Sequence, residues 1–211
     1  MTADPRLVAN AQILNQVTYN ETLNLANLGA KVIHPRAVEM AMSENIPIRV
    51  RSTFSDSEGT LITHQNELNN ADNAQTVTGI TQTGNLIQVM ISKEPYEDVF
   101  QYFSDKHISI DFIQTTPTSA SFTVDSFYQE HVRLALHEKS NDVTIRENLA
   151  KVSVVGAGIR GIPGVMSKCT SALYQNQIDV FQSADSHTTI WFLVHQDRMK
   201  EAVQTLHDIF I

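Results

Sequence analysis

The chain has a single cysteine, Cys169, among its 211 residues, so neither a disulfide framework nor a cysteine-based zinc site can be built. It has one tryptophan and six prolines. No apolar run approaches the roughly 18 residues of a membrane-spanning helix, and the first twenty residues lack the apolar stretch of a signal peptide. Charge is also scarce. Only 18% of residues are Asp, Glu, Lys or Arg, with asparagine and glutamine supplying much of the polar surface instead. The balance is −8, and no basic block interrupts it. A net acidic chain of this kind is a poor partner for nucleic acid or an anionic membrane. A soluble, cytoplasmic protein of several small modules is the expectation.

What the chain does have is a 42% hydrophobic share, enough for a real core, and a strong internal order. Tyr19–Leu28 and Pro35–Asn45 have helical spacing, and residues 45–52 alternate apolar and polar as a half-buried strand does. Residues 1–63 therefore read as two helices with a strand or two, which is little for an independent core. The opening Ala3-Asp4-Pro5-Arg6 reads like the inside of a loop, so the tail of a larger domain is expected. Residues 64–75 are polar, lack aromatics and read as a linker.

After the linker the pattern becomes β-α-β-β-α, twice. Strands are predicted at 76–80, 86–91, 108–114, 119–124, 151–155, 178–183 and 188–194, and helices at 95–106, 126–139, 164–176 and 196–209. Residues seventy apart match: Phe103 with Leu173, Ile108 with Ile178, Ile110 with Val180, Phe122 with Phe192, Val124 with Val194 and Leu136 with Leu206. In the first strand the shift is 65, pairing Ile87 with Val152 and Val89 with Val154. The second copy therefore gains about five residues in its glycine-rich stretch, Gly156 to Gly164, where the first reads Ser92-Lys-Glu-Pro95. Such a repeat predicts paired ferredoxin-like modules.

Gly156-Ala-Gly158-Ile-Arg-Gly161 after a strand is formally a dinucleotide fingerprint, which would make a small nicotinamide enzyme. Too few residues follow for a doubly wound sheet, the next connection is a hairpin, and the same unit occurs earlier without the glycines. The loop either lets backbone N–H groups approach a ligand carboxylate at the following helix, or is a tight turn. The eight histidines show no metal-binding spacing. Cys169 shares a helical stripe with Val165 and Leu173 and reads as buried filler. Trp191 and Phe192 are adjacent on a strand, which favours burial of both sheet faces, by a second sheet or subunit. Asp111 and Asp179, near the starts of the second strands, either meet a ligand ammonium or are solvated strand ends.

Several stretches together resemble one family. Thr2-Ala-Asp-Pro-Arg6, Leu28-Gly-Ala-Lys-Val-Ile-His-Pro-Arg36, Arg49-Val-Arg-Ser-Thr-Phe54 and Gly59-Thr-Leu-Ile62 resemble the end of the aspartokinase catalytic domain. Val77-Thr-Gly-Ile80 resembles the entry to its regulatory region. Lys151-Val-Ser-Val-Val-Gly-Ala-Gly158, Pro163-Gly-Val165 and Leu206-His-Asp-Ile-Phe210 resemble its second ACT module.

The resemblance implies an α+β chain: two nested ferredoxin-like (ACT, βαββαβ) modules after the C-terminal piece of an α/β amino-acid-kinase domain. The implied domains are 1–63 for the kinase end, 64–75 for the linker, 76–80 with 149–211 for the second ACT module, and 81–148 for the first inserted within it. The whole enzyme would phosphorylate aspartate with ATP and magnesium, beginning the synthesis of lysine, threonine, methionine and diaminopimelate. Arg6 and Lys31 match positions that contact ATP phosphates. The aspartate site is missing, so this chain is expected to be inactive alone, with no cofactor bound to it.

Its implied role is feedback sensing and association, as a homodimer through the ACT modules and with a full-length kinase subunit as a further partner. The implied effector is diaminopimelate, lysine or threonine, expected at the interface of the two modules. The loop Gln182 to Ile190 and the short Ser92–Pro95 loop resemble the diaminopimelate-sensitive type. The effector carboxylate is expected at the backbone N–H groups of Ile162, Pro163, Gly164 and Val165 (proline offering none), and its ammonium at Asp111, Asp179 or Asp185. The rival reading is a free-standing ACT protein regulating an unrelated partner, which would not need the motifs of residues 1–63.

Overall fold

A computed structural model describes residues 1–64, 76–92, 96–136, 142–159 and 161–211. The expected linker therefore lies, apart from His64, outside the described residues, as do residues 93–95 of the short first-module loop.

The N-terminal segment forms a three-stranded sheet from β1 (Gln16–Thr18), β2 (Ile48–Val50) and β3 (Thr60–Thr63), in the order β1-β3-β2. β1 and β3 are parallel, while β2 runs antiparallel to β3. Two helices, α1 (Tyr19–Asn27) and α2 (Pro35–Ser43), complete it. α1 starts on a capping box: the Thr18 hydroxyl accepts from the Glu21 N–H, and the Glu21 carboxylate accepts from the Thr18 N–H. α2 starts with Pro35 at its first turn, where a missing N–H costs nothing, and the His34 Nδ1 accepts from the Arg36 N–H at 3.2 Å. Val17, Tyr19, Val38 and Ile62 form the segment's own small core.

The remainder is built from β4 (Gly79–Ile91), α3 (Glu97–Asp105), β5 (Asp111–Thr116), β6 (Ser119–Asp125), α4 (Gln129–Leu136), β7 (Val143–Val155), α5 (Val165–Gln175), β8 (Gln182–Asp185), β9 (Thr189–His195) and α6 (Met199–Asp208). β4 and β7 each have 13 residues, longer than the strands read from sequence. The alternation is interrupted in each by an asparagine in the left-handed region, Asn85 and Asn148, a conformation this side chain tolerates.

Two compact units result. One holds Gly84–Ala150 and His195–Asp197, with strands ordered β5-β6-β4-β7. The other holds Met1–Thr83, Lys151–Val194 and Arg198–Ile211, with strands ordered β4-β7-β9-β8. Each order is that of a ferredoxin-like βαββαβ sheet, with the last strand of the motif beside the first. The N-terminal segment belongs to the same unit as the second module.

The repeat read from sequence is a repeat of core positions. Phe103, Ile108, Phe122, Val124 and Leu136 are buried in one module's core, and Leu173, Ile178, Phe192, Val194 and Leu206 in the other's. Cys169 falls on the position of Val99, and both are buried. His107 and Gln177, seventy apart, both adopt a positive φ of 55° after their helices.

The edge strands start later than the alternation predicts. β8 begins at Gln182 rather than at residue 178, and the bond from Phe181 N to Leu193 O leads into it. β5 begins at Asp111 and breaks register before Gln114. Within this irregularity Phe112 takes a positive φ of 55° and is buried, while Ile113 is 54% exposed.

Candidate functional site

The N-terminal segment and the second module meet in one compact unit, and their junction is built by glycines and buried polar groups. Gly79, in Val77-Thr-Gly-Ile80, passes the backbone of Thr2, whose carbonyl accepts from the Ile80 N–H at 2.7 Å. A Cβ on Gly79 would lie 2.8 Å from that oxygen. The Thr2 hydroxyl in turn shares a 2.9 Å hydrogen bond with Nε2 of the fully buried His207 on α6.

α1 and its C-cap are hydrogen-bonded to the second module. Asn24 donates to the Thr188 hydroxyl at 3.0 Å, while the hydroxyls of Thr81 and Thr83 donate to the Leu28 carbonyl. In that module's sheet Ser153 and Leu193 are wholly buried, and Trp191 is half-buried. Side chains are buried on both faces of this sheet, as the Trp191–Phe192 pair suggests, and the chain's own N-terminal segment bonds to the module at Thr81, Thr83 and Thr188.

A pocket of about 340 Å³ opens at the carboxyl ends of the parallel strands β1 and β3, the usual ligand position in α/β sheets. Thr18, Glu21, Thr63 and His64 line it on one side, Ala157 and His187 on the other. His64 Nε2 lies 2.8 Å from Asn45 Oδ1, and the Tyr19 ring meets the imidazole edge-on at 4.9 Å. The glycine turn behind the pocket leaves no room for a side chain at Gly156, where a Cβ would lie 2.3 Å from the Thr76 carbonyl oxygen. Glu21, His64 and His187 are not among the site residues expected from sequence; the Thr18-x-x-Glu21 spacing, a capping-box pattern, is the signal that could have found Glu21.

The residues expected to meet ligands stand as follows. Arg6 is exposed and engages Asp4 in a bidentate pair, with Nη2 to Oδ2 at 2.7 Å and Nε to Oδ1 at 3.0 Å. That guanidinium holds the Asp4 carboxyl below its ordinary range. Lys31 is exposed in the turn between α1 and α2. Ile162, Pro163 and Gly164 form an exposed loop ahead of α5, and Val165 is buried in the core. Gly164 caps α5 with φ +89°, and having no side chain it offers the first-turn N–H groups no capping oxygen of its own.

Asp185 ends β8 and is exposed. Asp179 is exposed in the connection between α5 and β8, and its charge adds to that of Glu201 in raising the Arg198 guanidinium above its ordinary value. Asp111, in the other unit, turns its carboxylate back on the Phe112 N–H at 2.7 Å. Cys169 is wholly buried, and burial pushes its thiol up to about 12. No group of three or more metal-ligating side chains occurs among the described residues.

A regulatory ACT fold joined to an amino-acid-kinase segment is the class these features define. The ACT domain family model matches residues 144–208, and the amino acid kinase family model matches residues 1–52. Aspartokinase 1 of Bacillus subtilis is 45% identical over 217 residues, covering 100% of this chain and 54% of the relative. The aspartate kinase of Clostridium acetobutylicum has the same fold at a TM-score of 0.89 and 22% identity, over 100% of this chain and 52% of that one. Aspartokinase III of Escherichia coli, in complex with lysine and aspartate in its T-state, superposes at a TM-score of 0.78 with 24% identity, over 100% of this chain and 49% of that one. The chain belongs to the aspartokinase family, and it spans about half the length of the relatives it matches.

Proposed function

We propose that the chain is the feedback-sensing and associating part of a cytoplasmic aspartate kinase, whose whole form transfers phosphate from magnesium-bound ATP to aspartate. Arg6 and Lys31 would serve the nucleotide phosphates. Both are exposed cations on the kinase segment, and guanidinium and ammonium groups suit phosphate. Arg6 would have to exchange Asp4 for phosphate, at little cost for a surface pair.

The effector is a small amino acid, with diaminopimelate first and lysine or threonine as the other members of the class. The observation that carries this reading is the start of α5: an exposed glycine loop with no side-chain cap, whose backbone donors and dipole suit a carboxylate. Asp179 or Asp185, in the same unit, would take the ammonium. The bound lysine of the Escherichia coli relative belongs to the same chemical class. A homodimer through the ACT modules, and a full-length kinase subunit as partner, complete the proposal.

Calorimetry with diaminopimelate, lysine and threonine tests it. At least one should bind below about 1 mM, equivalent to roughly −4 kcal/mol, and Gly164→Pro should weaken it. Binding of none would remove the sensor role. Retained binding in Asp179→Ala and Asp185→Ala would remove the ammonium site only.

A further inference from the structure

Glu21 is only 8% exposed, and its carboxylate accepts hydrogen bonds from four donors. Oε2 takes the Thr18 N–H at 3.1 Å and the Thr18 hydroxyl at 2.6 Å. Oε1 takes the Ala157 N–H at 3.1 Å and the Thr78 hydroxyl. A capping box needs one oxygen of the acid. The second oxygen reaches residues 57 and 136 positions further along the chain.

Those two donors belong to the parts that make the second module a module. Thr78 lies in the strand entry Val77-Thr-Gly-Ile80, and Ala157 in the turn that follows β7. The turn has little slack. Gly156 donates to the Thr188 carbonyl at 3.0 Å and is pressed against the Thr76 carbonyl on its other side. Seven residues beyond Ala157, Gly164 caps α5. An Oε1 that lost one of these donors would be left short of compensation in a buried place, so the Thr78 and Ala157 contacts support each other, while Oε2 keeps the cap.

We infer that Glu21 is a positioning residue: it fixes the glycine turn that carries the start of α5 and joins that turn to the cap of α1. Movement of the turn is then felt at α1, and movement of α1 at the turn. The regulatory meaning of this link rests on the effector reading above; the link itself does not.

Amide exchange followed by NMR tests it on the whole chain. Glu21→Gln keeps the shape but offers one acceptor oxygen for two sets of donors. Exchange at Ala157 and in the first turn of α1 should accelerate at least tenfold, while residues 169–173 and 202–206 in α5 and α6 keep wild-type rates. Thr78→Val, which leaves the cap intact, should accelerate Ala157 alone. Unchanged exchange at Ala157 in both variants overturns the assignment. So does uniform acceleration that includes α5 and α6, which would mean simple loss of stability.

A second arm adds saturating diaminopimelate, lysine or threonine. A bound effector should alter protection at the α1 cap in wild type and not in Glu21→Gln. An equal response in both overturns the coupling while the effector site stands. Absence of binding counts against the effector reading, and the ligand-free rates then decide the link alone.

Discussion

Cys169 and Gly156 show how differently two small residues can be constrained. Cys169 is filler: it is wholly buried and occupies the position that Val99 holds in the other module. Burial raises its thiol from an ordinary value of 9.0 to about 12. A group whose folded value is raised keeps its stabilising effect below the unfolded value and loses it as pH climbs toward the folded one. Stability should therefore fall between about pH 9 and pH 12, and Cys169→Val should flatten that part of the profile in denaturant titrations. The native thiol should also resist a thiol reagent at pH 8 until denaturant is added. Gly156 is held by space. A methyl group there meets backbone that cannot yield, so Gly156→Ala should cost about 1–3 kcal/mol. Gly161 has open space around it, and only its positive φ resists a side chain. Thermal melts of the two alanine variants should show the larger loss at Gly156.

The helices and strands of the two modules were legible because their cores repeat. Ile87 and Val152, Val89 and Val154, and Phe122 and Phe192 are pairs of wholly or almost wholly buried side chains. Phe122→Ala and Phe192→Ala empty equivalent places in separate cores, and each should cost about 3–5 kcal/mol in chemical denaturation. The edge strands were less legible. Period alone carries Ile108, Ile110 and Phe112 along one face, but a register shift is set by pairing with β6, which no local pattern records. β1, only three residues long, has too little alternation to be read, and its pairing partner lies more than forty residues away. The junction around Glu21 was hidden for the same reason: its donors are local in space and remote in sequence. The motifs that carried the family resemblance include the junction's own glycines, Gly79 and Gly156. They were legible as a pattern before their use in packing was visible.

At the scale of the whole molecule, association must be argued from edges. The second module is bonded to α1 of the same chain at Thr81, Thr83 and Thr188. Among the described residues, β5 and β8 stand at the ends of their units' strand orders. Open edges invite pairing with another chain. Light scattering at micromolar concentration should give twice the 23.6 kDa of one chain. A proline at Ile113 on β5, or at Ser183 on β8, should return it to the mass of one if that edge is the contact.

The seam between Thr2 and Gly79 bears on how the ACT module could be transplanted. Residues 64–75 look like the natural place to cut when grafting a sensor onto another catalytic body. A graft cut there would leave behind the Thr2 carbonyl that Ile80 requires, the hydroxyl that His207 requires and the carboxylate that Ala157 requires. The exposed remnant would keep its glycines but lose the surfaces they were shaped to meet. A working chimaera should carry residues 1–63 along with the sensor, making the boundary of the transferable unit a surface within the kinase segment rather than a point in the chain.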